Sequence, residues 1–112
     1  MSVAVRFRGV QPSESLRLHA ERMSRQRLAR FGSRVARVLV RITDVNGPRK
    51  GLDRQCDVVV HGQGPTEGHS RACDRDPYRA VDDALRRLAR VLARHVERRR
   101  LARPRLALAE IG

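Results

Sequence analysis

The sequence predicts an α+β two-layer sandwich in the order β-α-β-β-β-α, with a four-stranded sheet and two helices on one face. Three observations carry this. Period-two alternation recurs in short stretches separated by turn formers. Two segments carry apolar residues at helical spacing. The 112 residues suffice for one domain, and their 40% hydrophobic content supplies one modest core.

Residues 3–8 alternate, with Val3, Val5 and Phe7 on one side and Ala4, Arg6 and Arg8 on the other, as a half-buried strand does. Gly9 and Pro12 end it, and Ser13 is the N-cap of a helix reaching about Phe31. Leu16, Ala20 and Met23 share a face of that helix, while Arg27 falls in the apolar arc and Leu28 outside it. Either Arg27 snorkels past the sheet's end or the helix stops early.

A second strand covers 35–43, with Ala36, Val38, Val40 and Ile42 facing one way and Arg37, Leu39 and Arg41 the other. "NGPRKG" at 46–51 is a loop. The third strand, 55–61, has Cys56, Val58 and Val60 on one face, and "GQGPTEG" leads to a short fourth strand at 69–73. Antiparallel hairpins are the economical pairing for strands this close. A hairpin centred between Gly64 and Pro65 sets Cys56 opposite Cys73.

The last helix opens with Asp76 as N-cap and Pro77 at its first position, where a missing N–H costs nothing. The domain is expected to span residues 1–100. The remaining 101–112, "LARPRLALAEIG", is a short tail broken by Pro104.

Charge is the strongest global feature. Against 12 acids stand 25 bases, for a net +13. Lys50 is the sole lysine, which leaves 24 arginines. Arginine's planar fork suits phosphate. A GC-rich genome would also favour arginine over lysine, but it does not account for the net charge. Such an excess points to a polyanion, either nucleic acid or an anionic membrane. A membrane-binding helix needs bulky apolar residues free to insert, and here that face is committed to the core. No apolar run reaches the length of a membrane span or follows the start as a secretory signal does, and two cysteines fit a reducing cytoplasm.

At about 100° per residue, Val81, Ala84, Leu85, Leu88, Leu92 and Val96 form the buried arc of the last helix, and His95 falls within it as a packed histidine. Arg79, Asp83, Arg86, Arg90 and Arg94 line the opposite side, with Arg87 nearby. Asp82 is in reach of Arg86 and Asp83 of Arg87, at four-residue spacing. A solvated helix face is the plain alternative. Against it, the cationic excess recurs at Arg17, Arg22, Arg25 and Arg30 and around the loop at Arg49, Lys50 and Arg54. With no Trp, one Tyr and two Phe, the surface lacks stacking platforms for single strands. Phosphate and shape recognition of folded RNA or duplex fits better.

"DPYRAVDDALRRLARVL", after a β-α-β-β-β order, resembles the ribosome hibernation promoting factors, also called ribosome-associated inhibitor A or sigma-factor modulation proteins. The resemblance covers about residues 3–98. Its most specific element is Asp76, Tyr78, Ala80, Val81 and Asp82, and "GVQPSESL" followed by a basic helix ending "RFG" adds to it.

The resemblance implies a fold like a double-stranded-RNA-binding domain with an extra first strand. It also implies a cytoplasmic factor that occupies the decoding channel of the small ribosomal subunit and blocks mRNA and tRNA. Its partners would be that subunit and ribosomal RNA, with no membrane and no small-molecule substrate, and it would be a monomer off the ribosome. The matching RNA-binding positions are Arg79, Arg86, Arg87, Arg90 and Arg94, with Arg22 and Arg25 on the first helix. Arg49 and Lys50 join them from the charge pattern. A domain equivalent to the C-terminal one of the family's long forms is not expected.

The alternative function is a general regulator binding structured RNA or DNA away from the ribosome. A third reading, a thiol or metal enzyme built on Cys56 and Cys73 with His61 and His69, finds little support. The C-x4-H-x7-H-x3-C spacing matches no common zinc module. Asp82 and Asp83 point about 100° apart, which is wrong for an acid–base pair, and no phosphate-cradling glycine loop precedes a helix. No catalytic residue, metal or cofactor is expected. Tyr78 is expected to pack at the helix start with its hydroxyl bonded at the rim.

Overall fold

The computed structural model describes residues 1–45 and 54–111, with side chains to residue 102. In chain order the elements are β1 (Ser2–Arg8), α1 (Glu14–Leu28), a 3-10 segment (Ala29–Arg34), β2 (Val35–Asp44), β3 (Arg54–Gly62), β4 (Gly68–Asp74) and α2 (Pro77–Ile111). The sheet order is β1-β2-β3-β4. β1 and β2 are parallel, because α1 carries the chain back across the sheet, and the other two pairs are antiparallel hairpins. The fold is the expected α+β sandwich.

One core holds it. Val38, Val40, Ile42, Cys56, Val58, Val60 and Ala72 from the sheet meet Leu16, Ala20 and Leu28 of α1 and Ala80, Val81, Ala84, Leu85, Leu88 and Leu92 of α2. Val3, Val5 and Phe7 close its β1 side. Fully burying an aliphatic side chain of this kind contributes about 1.5–3 kcal/mol. Both helices therefore cover the same sheet face, and the other face is left open.

The structure corrects five details of the sequence reading. In α1 the buried stripe is Leu16, Ala20, Ser24 and Leu28, a strict four-residue spacing that drifts around the axis, so Leu28 is in the core and Arg27 is exposed. The α-helix ends at Leu28 and tightens into the 3-10 segment, with Gly32 at φ 59 supplying the left-handed backbone that turns the chain into β2. In β2, Val35 lies opposite Gly62 and Arg37 opposite His61, so Ala36 is an extra, bulged residue. Val35 is buried and Ala36 exposed, the reverse of the simple alternation.

The β3–β4 register sets Cys56 opposite Ala72 and Gln55 opposite Cys73. With Val60 opposite Gly68, the hairpin is centred on Gly64, whose φ of 58 makes the turn. Cys56 and Cys73 thus face opposite sides of the sheet. Finally, α2 runs on to Ile111 without a break at Pro104. A proline there removes one backbone donor and leaves the rest of the ladder.

Two buried hydroxyls fasten the fold, one between the layers and one at the sheet's end. Ser70 on β4 donates to the Ala84 carbonyl of α2. The Thr66 hydroxyl lies 2.6 Å from the Gln63 carbonyl and 3.0 Å from that of Arg34, tying the β3–β4 turn to the start of β2. A Cβ at Gly62 would collide with Arg34 and Thr66, so this close approach needs glycine.

Candidate nucleic-acid interface

The start of α2 is fixed from several directions. Asp76 caps it, accepting from the Tyr78 N–H at 2.9 Å, and Asp74 accepts from the Asp76 N–H at 2.9 Å. The Tyr78 hydroxyl is 2.6 Å from the Ser15 Oγ, and its ring meets His19 edge-on at 5.0 Å. Nε2 of His19 in turn lies 2.8 Å from Oδ1 of Asp82. Tyr78 and Asp82 thereby hold α2 against α1 and set the angle at which its outer side is presented.

That outer side carries Arg79, Asp83, Arg86, Arg90 and Arg94, all exposed but for half-buried Asp83. The four arginines fall within about 80° of arc. Their pairing differs from the sequence expectation. Asp82 turns to His19 rather than to Arg86, and Asp83 reaches Arg86 at 3.4 Å rather than Arg87. The three-residue spacing wins because Asp82 is already committed across the helix pair. Arg87 leans to the sheet's edge and donates to the Arg71 carbonyl at 2.8 Å. Among the described residues, Arg79, Arg90 and Arg94 meet no carboxylate, and only Arg86 is tempered, by an exposed pair worth little.

On α1, Arg22 is exposed and meets no carboxylate among the described residues. Arg25 donates to the Met1 carbonyl at 3.1 Å. Arg17 is held by Glu14 and Glu21, which leaves it no charge to offer. The Glu14 carboxyl is held below its usual range by the hydrogen bond from Arg17. Arg30 donates to the Ala89 carbonyl at 3.2 Å and lies over the Phe31 ring, a bracing role between helices. Arg49 and Lys50 lie outside the described residues.

The sequence reading passed over Arg34, Arg99 and Arg100. With Gln63, Gly64, Pro65 and Val96 they line a hollow of about 310 Å³ beyond the core's end, continuous with α2. The run "ERRR" at 97–100 was the available signal.

Cys56 is buried and Cys73 exposed. Burial, and then the charge of Asp57, pushes the Cys56 thiol up to about 12. No group of three or more potential metal ligands converges among the described residues, and no described helix is long and apolar enough to cross a membrane.

A family model described as sigma 54 modulation protein / S30EA ribosomal protein matches residues 3–100. The chain belongs to this family. Its members are non-enzymatic, ribosome-associated regulators of translation. No curated protein sequence gives a significant match.

Among solved structures, the chain is similar to a ribosomal subunit interface protein from Coxiella burnetii. The TM-score is 0.71 at 19% identity, covering 87% of this chain and 99% of that one. It is also similar to the N-terminal domain of Thermus thermophilus Protein Y, with TM-score 0.68 and 17% identity over 84% of this chain and 98% of that one. At these identities the likeness is one of fold. The family match runs from β1 through Arg100 of α2, so Arg79, Arg86, Arg90 and Arg94 fall inside it.

Proposed function

We propose that this protein is a cytoplasmic, ribosome-associated inhibitor of translation. It binds small-subunit ribosomal RNA in the decoding channel and keeps mRNA and tRNA out. The observation that carries the reading is the set of exposed guanidiniums at Arg79, Arg90 and Arg94, which meet no carboxylate among the described residues, on a helix whose Ala80, Val81, Ala84, Leu85, Leu88 and Leu92 are buried in the core. Arg86 stands among them, and Arg22 and Arg25 extend the surface across α1. Arg87 serves the edge facing β4, and Arg49 and Lys50, which lie outside the described residues, join the set by their charge. Family membership supports the ribosome as partner, as does the fold shared with the ribosomal subunit interface protein of Coxiella burnetii.

Phosphate is the chemistry such a surface recognises. Arginine forks make bidentate, charge-assisted hydrogen bonds to it, and affinity comes with release of counterions. The action is occupancy: a rigid domain of this kind inhibits by filling space, and no bond is made or broken. The test is an Arg79→Glu/Arg86→Glu/Arg90→Glu variant. These side chains are outside the core, so its thermal unfolding should stay close to that of the parent protein. It should cease to co-sediment with small subunits at moderate salt, in the presence of excess bulk duplex RNA as competitor. Undiminished co-sedimentation of the folded variant refutes the assignment.

A further inference from the structure

The sheet face turned away from the helices is the second surface of the molecule. Alternation sends Arg6 and Arg8 of β1, Arg37, Leu39 and Arg41 of β2, Asp57, Val59 and His61 of β3, and His69 and Arg71 of β4 to this side. The register aligns Arg6 with Arg41, Arg41 with Asp57 and Asp57 with Arg71 in one row across all four strands.

The single carboxylate of that row is already occupied. Asp57 accepts from Arg71 Nε at 2.7 Å and from Gln55 at 2.9 Å, with His69 Nε2 at 3.2 Å. Burial alone would push its carboxyl up, but those hydrogen bonds outweigh burial and hold it below the usual range. Its charge therefore serves the β3–β4 half. On the β1–β2 half, Arg6, Arg8, Arg37 and Arg41 are exposed and meet no carboxylate among the described residues. Arg6 and Arg41 are direct cross-strand neighbours, a like-charge placement that destabilises a sheet on its own.

We propose that this open sheet face is a second binding surface for an RNA phosphate backbone, so that one domain grips two RNA segments from opposite sides. The proposal rests on the reading of the α2 ridge as an RNA surface for its ligand class. An anion lying over the Arg6–Arg41 pair converts an unfavourable juxtaposition into a two-pronged contact. Among the described residues the Arg6–Arg41 part of the face has no aromatic ring, the two histidines His61 and His69 lying on β3 and β4, so that part offers bases nothing to stack on and is suited to backbone. Sheet and helix layers separate the two arginine sets, so a single strand of phosphates does not lie on both. RNA is favoured over an acidic protein segment because the guanidiniums form a flat grid with only Leu39 and Val59 between them as apolar anchors. Protein interfaces centre on larger buried anchors.

The test uses an Arg6→Ala/Arg41→Ala variant and counts short RNA duplexes of about one helical turn bound per protein at low salt, by sedimentation velocity. The wild-type protein should take two duplexes, the Arg6/Arg41 variant one, and the Arg79/Arg86/Arg90 variant one. The Arg6/Arg41 variant should melt no lower than wild type, since a repulsive pair is gone, which separates lost binding from lost folding. If it melts lower, Arg37→Ala/Arg41→Ala is used in its place with the same expected count. Saturation of the wild type at one duplex, or a folded sheet-face variant that still takes two, overturns the proposal and leaves the ridge untouched. A ridge variant that still takes two counts against the ridge instead. Tighter binding of a poly-glutamate peptide than of duplex to the Arg6–Arg41 face, at equal salt, also overturns the proposal in favour of a protein partner.

Discussion

Cys56 and Cys73 show how much one residue of register decides. Both lie in strands that pair directly, yet Cys56 points into the core and Cys73 into solvent. A buried thiol raised to about 12 stays protonated at neutral pH and is neither nucleophile nor ready metal ligand. In a native protein at pH 8, a thiol-reactive disulfide reagent should therefore titrate one cysteine within minutes. The second should appear only when denaturant is added. Two fast-reacting thiols in the folded protein would mean that Cys56 is not where the core places it. Inward orientation of Cys56 follows from alternation with Val58 and Val60 and was legible in the sequence. Its partner was not, because hairpin register depends on the turn, and the centring on Gly64 comes from a backbone conformation that composition does not specify.

At the scale of the element, the cap of α2 governs how the ridge is presented. Asp76 accepts from the Tyr78 N–H and its carbonyl from the Ala80 N–H, so the first turn depends on this residue. Asp76→Ala should lower stability by about 1 kcal/mol, a melting shift of roughly 4 °C, while Asp76→Ser should recover most of it. Equal melting temperatures for Asp76→Ala and the parent protein would contradict the capping role. The elements themselves were readable because each carries its own local signal: Ser13 and Asp76 as caps, Pro77 at the first helical position, alternation in the first three strands and turn formers before the fourth. Where local signals end, the reading slipped. The bulge at Ala36 exchanges the faces of two residues, and nothing local announces it. Leu28 is core because the α1 stripe drifts over its length, a matter of what α1 packs on. The arginine ridge was visible from helical spacing, but its ion pairs were not. The contact of Asp82 with His19 joins residues 63 positions apart.

Across the whole molecule the sequence carries a net +13, and among the described residues uncompensated arginines lie on both the helix side and the open sheet face. Self-repulsion of such a charge opposes the compact state, and a polyanion relieves it. If the ridge binds by phosphate contact, affinity must be electrostatic in a countable way. For duplex nucleic acid the logarithm of the binding constant falls with the logarithm of salt by about 0.9 per phosphate neutralised. Binding to small subunits, measured at fixed magnesium over a range of potassium chloride, should therefore weaken steeply. Arg90→Ala should lower the slope by roughly one unit, and Arg79→Ala and Arg94→Ala should do the same. Arg17→Ala should leave the slope unchanged, since Glu14 and Glu21 already satisfy that guanidinium. The contrast matters because all four side chains sit on helices and carry the same formal charge. A slope that responds to Arg17 as strongly as to Arg90 would mean that net charge alone drives association. A slope that separates them would mean that particular, uncompensated arginines touch particular phosphates.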